Sequence, residues 1–180
     1  GKLVAVDTCY FDDQTMLQGW FAKHDRGKYV RPDSSFKKIL ETHSSTKERL
    51  KIYPEIYKEI FKITGKPKKI SDLGCGLNPI SYPYMKVKSN YFASDLSKED
   101  CEFVKKYFKI MKIKGKVKVM NLLKVKSLKI PKADVCFLFK VLESIELTKS
   151  HKISEELIKK IPAKWIVVSF PTKTVTGKNM

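Results

Sequence analysis

The chain has 180 residues, 42% of them apolar and 11% aromatic, which suits one domain with a core of its own and gives no argument for two large ones. No apolar run approaches the ~18 residues of a membrane span, and the opening GKLVAVDTCYFDD lacks the basic start and long apolar stretch of a secretory signal, so a soluble cytoplasmic protein is expected. The four cysteines, Cys9, Cys75, Cys101 and Cys136, are scattered, without a C-x-x-C pair or nearby histidines, which argues against zinc and disulfide frameworks and for reduced thiols.

Charge is the strongest compositional fact. Lys and Arg number 37 against 19 Asp and Glu, a formal net of +18 that draws polyanions, nucleic acid above all. Only Arg26, Arg31 and Arg49 are arginines, the remaining 34 cations being lysines. Lysine acts as a point charge suited to phosphate, so recognition by shape is expected more than reading of base edges.

In chain order, Val4 to Asp7 reads as a short strand, and the stretch from there to Val30 shows no clear period. PDSSFKKILETH predicts a helix capped by Asp33 or Ser34, with Phe36, Ile39 and Leu40 on its apolar face. In SSTKERL, Ser45 and Glu48 have capping-box spacing, so a new helix is expected there. Pro54 forces a break near Tyr53 and a restart with the proline in the first turn, after which Ile56, Tyr57, Ile60 and Phe61 give one buried stripe. Beyond TGKPKK the pattern alternates: strands at 69–72, 91–95, 117–120, 135–139 and 165–169, helices at 79–85, 98–111 (capped by Ser97) and 153–160, and a shorter turn near 142–147. Such alternation implies an α/β protein with a mostly parallel sheet and helices on both faces.

SDLGCGLNPISYPYM then falls where the first of these strands hands over to a helix. Gly74 and Gly76 let the backbone turn tightly and approach a ligand, and the helix beginning at Asn78 and Pro79 turns its free amides to the same crevice. A dinucleotide site wants a third glycine where this chain has Pro79, so pyrophosphate binding is not indicated. Asp72 in D-x-G-x-G points instead to S-adenosylmethionine, which carries positive charge and no phosphate. Asp95 ends the next strand, where a carboxylate can accept both ribose hydroxyls.

Four blocks, HSSTKERL (His43 to Leu50), DLGCGLNPI (Asp72 to Ile80), FLFKVLESIE (Phe137 to Glu146) and SFPTKTVTGK (Ser169 to Lys178), occur in this order. Together they resemble the aminoglycoside-resistance 16S ribosomal RNA methyltransferases that modify guanine N7 in the decoding-site helix, over about residues 35–178. The resemblance implies a Rossmann-like S-adenosylmethionine-dependent methyltransferase fold. It implies a division into an N-terminal extension and helical region at 1–65, contacting RNA and cofactor, and a methyltransferase domain at 66–180. Arg49 is implied on the methionine carboxylate, as a planar fork suits, with His43, Ser45 and Thr46 lining the cleft. Asp72, Gly74, Cys75, Gly76, Asn78 and Phe139 also bind the cofactor; Asp95 and Leu96 flank the ribose, and Asn121 and Leu122 hold the adenine, although Leu122 also suits the core. Lys140 and Lys173 are implied at the target phosphate or guanine O6, with Phe170 and Pro171 shaping the base pocket. No metal is implied.

Guanine N7 exposes a lone pair and has no proton to lose, so the enzyme's main task is alignment. Consistently, no [D/N]-P-P-[Y/F/W] follows the fourth strand of the alternating series, and Cys136, inside an apolar strand, reads as core rather than as a nucleophile. The implied partner is small-subunit ribosomal RNA, within the assembled 30S subunit, met by a monomer. Family members continue past SFPTK with strands that complete the sheet and carry a larger amino-terminal helical region; this chain stops at Met180, so truncated C-terminal strands are expected. A compact relative, a trimmed chain and a permuted one stay open, the last placing Leu3 to Val6 in the sheet. Two other functions also stay open: a methyltransferase for another RNA or a small molecule, and a non-catalytic RNA-binding relative.

Overall fold

The computed structural model describes residues 2–8, 35–42, 44–146 and 151–171. In chain order these form β1 (Lys2–Thr8), α1 (Ser35–Thr42), α2 (Ser44–Arg49), α3 (Tyr53–Thr64), β2 (Lys69–Leu73), a 3-10 turn (Asn78–Ser81), α4 (Tyr82–Met85), β3 (Asn90–Asp95), α5 (Lys98–Ile110), β4 (Gly115–Val119), a second 3-10 turn (Val125–Ser127), β5 (Ala133–Phe139), α6 (Val141–Ile145), α7 (Lys152–Lys160) and β6 (Ala163–Pro171). All six strands join one sheet in the order β1-β6-β5-β2-β3-β4, and every pairing is parallel. The chain runs outward from β2 through β3 to β4, then returns to β2's other side for β5. That reversal opens a crevice at the carboxyl ends of β2 and β5, the usual ligand position in such sheets.

Alternation along each strand divides the core in two. Val135, Phe137 and Phe139 of β5 face one layer together with Ile70, Tyr91, Val117 and the apolar sides of α1, α3 and α5. Cys136 and Leu138 face the other, with Leu73, Ile166, Val168, Val141 and Leu157. Sealed on both faces, β5 is a near-continuous apolar run, whereas edge strand β4 buries Val117 and exposes Lys116 and Lys118. Each fully buried Phe or Leu contributes roughly 1.5–3 kcal/mol.

The strands and helices of the alternating region occur where the sequence places them, within a residue or two at the ends. One segment differs: the helix expected at 79–85 is a 3-10 turn followed by the four-residue α4. An α-helix through 79–85 needs an amide at Pro83 and would press its ring on the carbonyl of residue 79; instead the Tyr82 N–H donates to Pro79 O. Helix α2 begins at Ser44, one residue ahead of the expected capping box. The caps expected at Asp33 or Ser34 lie outside the described residues. Leu3 to Val6 lie in the sheet, paired with Ile166 to Ser169 of β6.

The cap at Ser97 forms as the sequence indicates, its Oγ accepting from the Asp100 N–H at 3.1 Å. Ser97→Ala is expected to cost about 1 kcal/mol of stability, checked by urea unfolding, with an unchanged denaturant slope.

Candidate active site

After Leu73 the chain turns through Gly74 at φ +64° and Gly76 at φ +46°. Both values lie in the left-handed region that a side chain resists. A Cβ at Gly74 would stand 2.6 Å from Val141 Cγ2, whereas one at Gly76 would meet nothing within 4 Å. The first glycine is therefore packed against α6, and the second opens on space. The turn is pinned to β3: the Cys75 N–H donates to Ser94 O at 2.9 Å, and the Gly76 N–H donates to Asp95 Oδ2 at 2.8 Å. Asp95 Oδ1 accepts from the Ser97 N–H at 2.9 Å. A carboxylate has about four acceptor positions, so both oxygens keep capacity for further donors.

Beneath the turn Asp72 is buried, and its Oδ2 accepts from Asn78 Nδ2 at 2.8 Å and from the Tyr91 hydroxyl at 2.7 Å. Its Oδ1 is equally enclosed and has no hydrogen bond among the described residues. Burial pushes this carboxyl up to about 7, against the pull of the two donors and of the Arg49 guanidinium. Asn78 in turn accepts at Oδ1 from Tyr53 at 3.2 Å and Tyr57 at 3.4 Å, while Tyr57 and Ser81 share a 2.6 Å hydrogen bond. Burial raises Tyr53 to about 12 and Tyr57 well above its ordinary value, so both remain hydroxyls.

Arg49, at the end of α2, is also buried, its Cζ 4.9 Å from the centre of the Phe139 ring and 5.7 Å from that of Tyr53. Aromatic faces suit a guanidinium removed from water. Thus Arg49, Asp72, Asn78, Phe139 and the glycine turn converge on one end of β2 and β5. Asn121 follows β4, its Oδ1 accepting from the Leu123 N–H at 2.9 Å; Leu122 belongs to the second core, while Leu96 is exposed. Cys75 and Cys136 are buried, and burial raises both thiols.

On the target side, Lys140 takes φ +58° between β5 and α6, its N–H donating to both O and Oγ of Ser169 at 3.1 Å. Phe170, part-exposed, follows on β6. Thr46 is fully buried, its hydroxyl donating to Leu40 O at 2.6 Å, a bond that ties α2 to α1. His43 and Lys173 lie outside the described residues, as does the side chain of Ser45. Sequence reasoning missed Tyr53, Tyr57, Ser81 and Tyr91 as supports of Asp72. The available signal was tyrosine, rather than phenylalanine, within apolar stripes, because a buried hydroxyl needs a partner.

This strand order, with a D-x-G-x-G turn at the carboxyl end of β2 and an acidic residue ending β3, defines the Rossmann-like fold of S-adenosylmethionine-dependent methyltransferases. A model of the ribosomal RNA methyltransferase (FmrO) family matches residues 15–180, and the chain belongs to that family. Among curated relatives, the 16S rRNA (guanine(1405)-N(7))-methyltransferase of Micromonospora rosea is 34% identical over 141 residues, 77% of this chain and 50% of that protein. The protein of the same description from Proteus mirabilis is 32% identical over 149 residues, 79% of this chain and 51% of its own length. The chain thus spans about half the length of these relatives. Of solved structures, the 16S rRNA methyltransferase RmtF in complex with S-adenosyl-L-homocysteine superposes with TM-score 0.71 at 26% identity, covering 90% of this chain and 58% of that one. The 16S rRNA methylase ArmA gives 0.70 at 25%, covering 93% and 82%.

The position of Asp72 has a measurable consequence. Its folded-state value is raised to about 7, against ~4 for an unfolded aspartate, so the fold holds a proton that the unfolded chain releases. The associated stability is complete below pH ~4 and is lost as the pH rises toward 7. Asp72→Asn keeps an oxygen for Asn78 and Tyr91 and removes this loss. Thermal melts of the ligand-free proteins should show the variant more stable than the native chain at pH 8, and the two converging near pH 4.

Proposed function

We propose that this chain binds S-adenosylmethionine in the crevice and transfers its methyl group to guanine N7 in the decoding-site helix of 16S ribosomal RNA. One observation carries the reading: in a chain of the ribosomal RNA methyltransferase family, an enclosed carboxylate oxygen of Asp72 with no hydrogen bond among the described residues lies beside an open glycine turn. When bound, the cofactor supplies a methyl group on a sulfonium, which needs no further activation.

The methionine end is a zwitterion, and the crevice holds both charges. Arg49 takes the carboxylate, its fork kept planar against Phe139 and Tyr53. Asp72 offers Oδ1 to the ammonium, with Asn78 and Tyr91 fixing its other oxygen. Gly74, Cys75 and Gly76 line the approach with bare backbone. Asp95 keeps acceptor capacity for the ribose hydroxyls beside exposed Leu96, and Asn121 and Leu122 bound the adenine. His43 and Ser45 are assigned to the cofactor as well, and Thr46 supports it from behind by tying α2 to α1.

The target base enters from the carboxyl ends of β5 and β6. Lys140 and Lys173 meet its phosphate or O6, and Phe170 and Pro171 shape its pocket. Freeing guanine from its helix costs a few kcal/mol, which the basic surface offsets. Because N7 has no proton to lose, these residues act by alignment, worth several kcal/mol. Residues 1–65 contribute RNA and cofactor contacts, and 66–180 the transfer domain. The setting is the bacterial cytoplasm, the substrate the assembled 30S subunit, the protein a monomer, and the outcome aminoglycoside resistance.

The test is transfer of labelled methyl to 30S subunits, with mass mapping of the product. Label on a guanine of the decoding-site helix is expected; donor binding without label on any 16S guanine would refute the assignment. Arg49→Lys should weaken donor binding about tenfold by calorimetry, because an ammonium cannot reproduce a bidentate contact.

A further inference from the structure

The opposite edge of the sheet holds a second cavity. It measures about 250 Å³ and is lined by the first residues of β2, β3 and β4, among them Lys69, Ser71, Phe92 and Lys116, and by Pro131 and Lys132 of the loop before β5. Strand register explains the grouping. Ser71 pairs with Phe92, and Phe92 with Lys116, so these three project from one sheet face, with Lys69 two residues before Ser71. The crevice of Asp72 and the glycine turn lies at the strands' other end.

Three features of the cavity point to one ligand chemistry. Its charged lining is cationic: Lys69, Lys116 and Lys132 are exposed, and no acidic side chain among the described residues lines it. The nearby Asp134 is held by backbone, its Oδ2 accepting from the amides of Lys68 and Lys69 at 2.8 and 2.9 Å. Ser71 is 1% exposed, and its Oγ has no hydrogen-bond partner among the described residues. Such an enclosed hydroxyl is costly unless something bonds to it. Phe92 and Pro131 add apolar wall against which a flat ring can lie.

We propose that this cavity binds a nucleotide of a single-stranded RNA segment, remote from the methyl-transfer crevice. The three lysines hold the flanking phosphates, Ser71 Oγ bonds the nucleotide, and its base rests against Phe92 and Pro131. The occupant is part of a strand because three cations surround room for one nucleotide, so their charge is matched by successive phosphates. The site rests on the RNA part of the function proposed above. It makes the sheet a two-ended reader, one end doing chemistry and the other fixing where the RNA lies.

The test uses a fluorescent single-stranded RNA of about 12 nucleotides and the full chain. A triple variant, Lys69→Gln, Lys116→Gln and Lys132→Gln, is compared with a control of equal charge change, Lys105→Gln, Lys106→Gln and Lys109→Gln, whose lysines are exposed on α5. Anisotropy titrations should show the cavity variant weakened roughly tenfold or more, its log–log salt slope shallower by about 2, from three lysines at ~0.7 each. The control should change less than threefold, and calorimetry should give both variants native donor affinity. Equal losses in the two variants, or none in the cavity variant, overturn the site while leaving the methyltransferase reading intact. A native chain that binds donor but no RNA overturns both the site and the RNA substrate.

Discussion

The structure of the crevice depends on one constraint: a carboxylate, Asp72, sits where water does not reach. Removing a charge from water costs several kcal/mol unless it is neutralised or fully bonded. The fold answers with Asn78 and Tyr91 on one oxygen, while the other has no bond among the described residues. Burial then lifts the group toward neutrality. A site with this imbalance favours a positively charged occupant, which restores the ionised form and fills the missing bond. Structural economy alone would have placed an asparagine there.

Asp72's supports hold the neighbouring elements in place. Asn78 begins the 3-10 turn, Tyr53 and Tyr57 belong to α3, and Tyr91 belongs to β3, so one hydrogen-bonded cluster fixes the turn against a helix and two strands. The stacked rings of Tyr53, Tyr57 and Phe61 continue this rigidity along α3. Polar groups gathered without water strengthen one another electrostatically. The pocket floor is therefore preorganised rather than assembled by its ligand.

Arg49 enters from outside the sheet. It ends α2, which is tied back to α1 by the Thr46 hydroxyl, and it lies against Phe139 at the end of β5. The amino-terminal helices thus form one wall of the crevice instead of packing as a separate unit. Charge follows a matching division: the arginine is enclosed against two aromatic rings, while lysines occupy exposed positions, where a point charge suits phosphate. The proposed function places the chemistry at the carboxyl edge of the sheet, and the further proposal places a polyanion at its amino edge.

Local pattern determined much of this protein by itself. The alternation of strand-like and helix-like runs after TGKPKK marked the strands and helices, Ser97 announced its cap, and D-x-G-x-G marked the turn after β2, because each signal arises from neighbours in the chain. Proline chemistry is equally local: Pro54 sits in the first turn of α3 as expected, and Pro83 divides 79–85 into a 3-10 turn and α4 where one helix is expected. Only tertiary structure decided the pairing of β1 with β6, the burial of Arg49 between two rings, the tyrosine support of Asp72 and the cavity at Ser71. Those depend on residues far apart in the chain meeting across a sheet, and a linear sequence carries periodicity but not register.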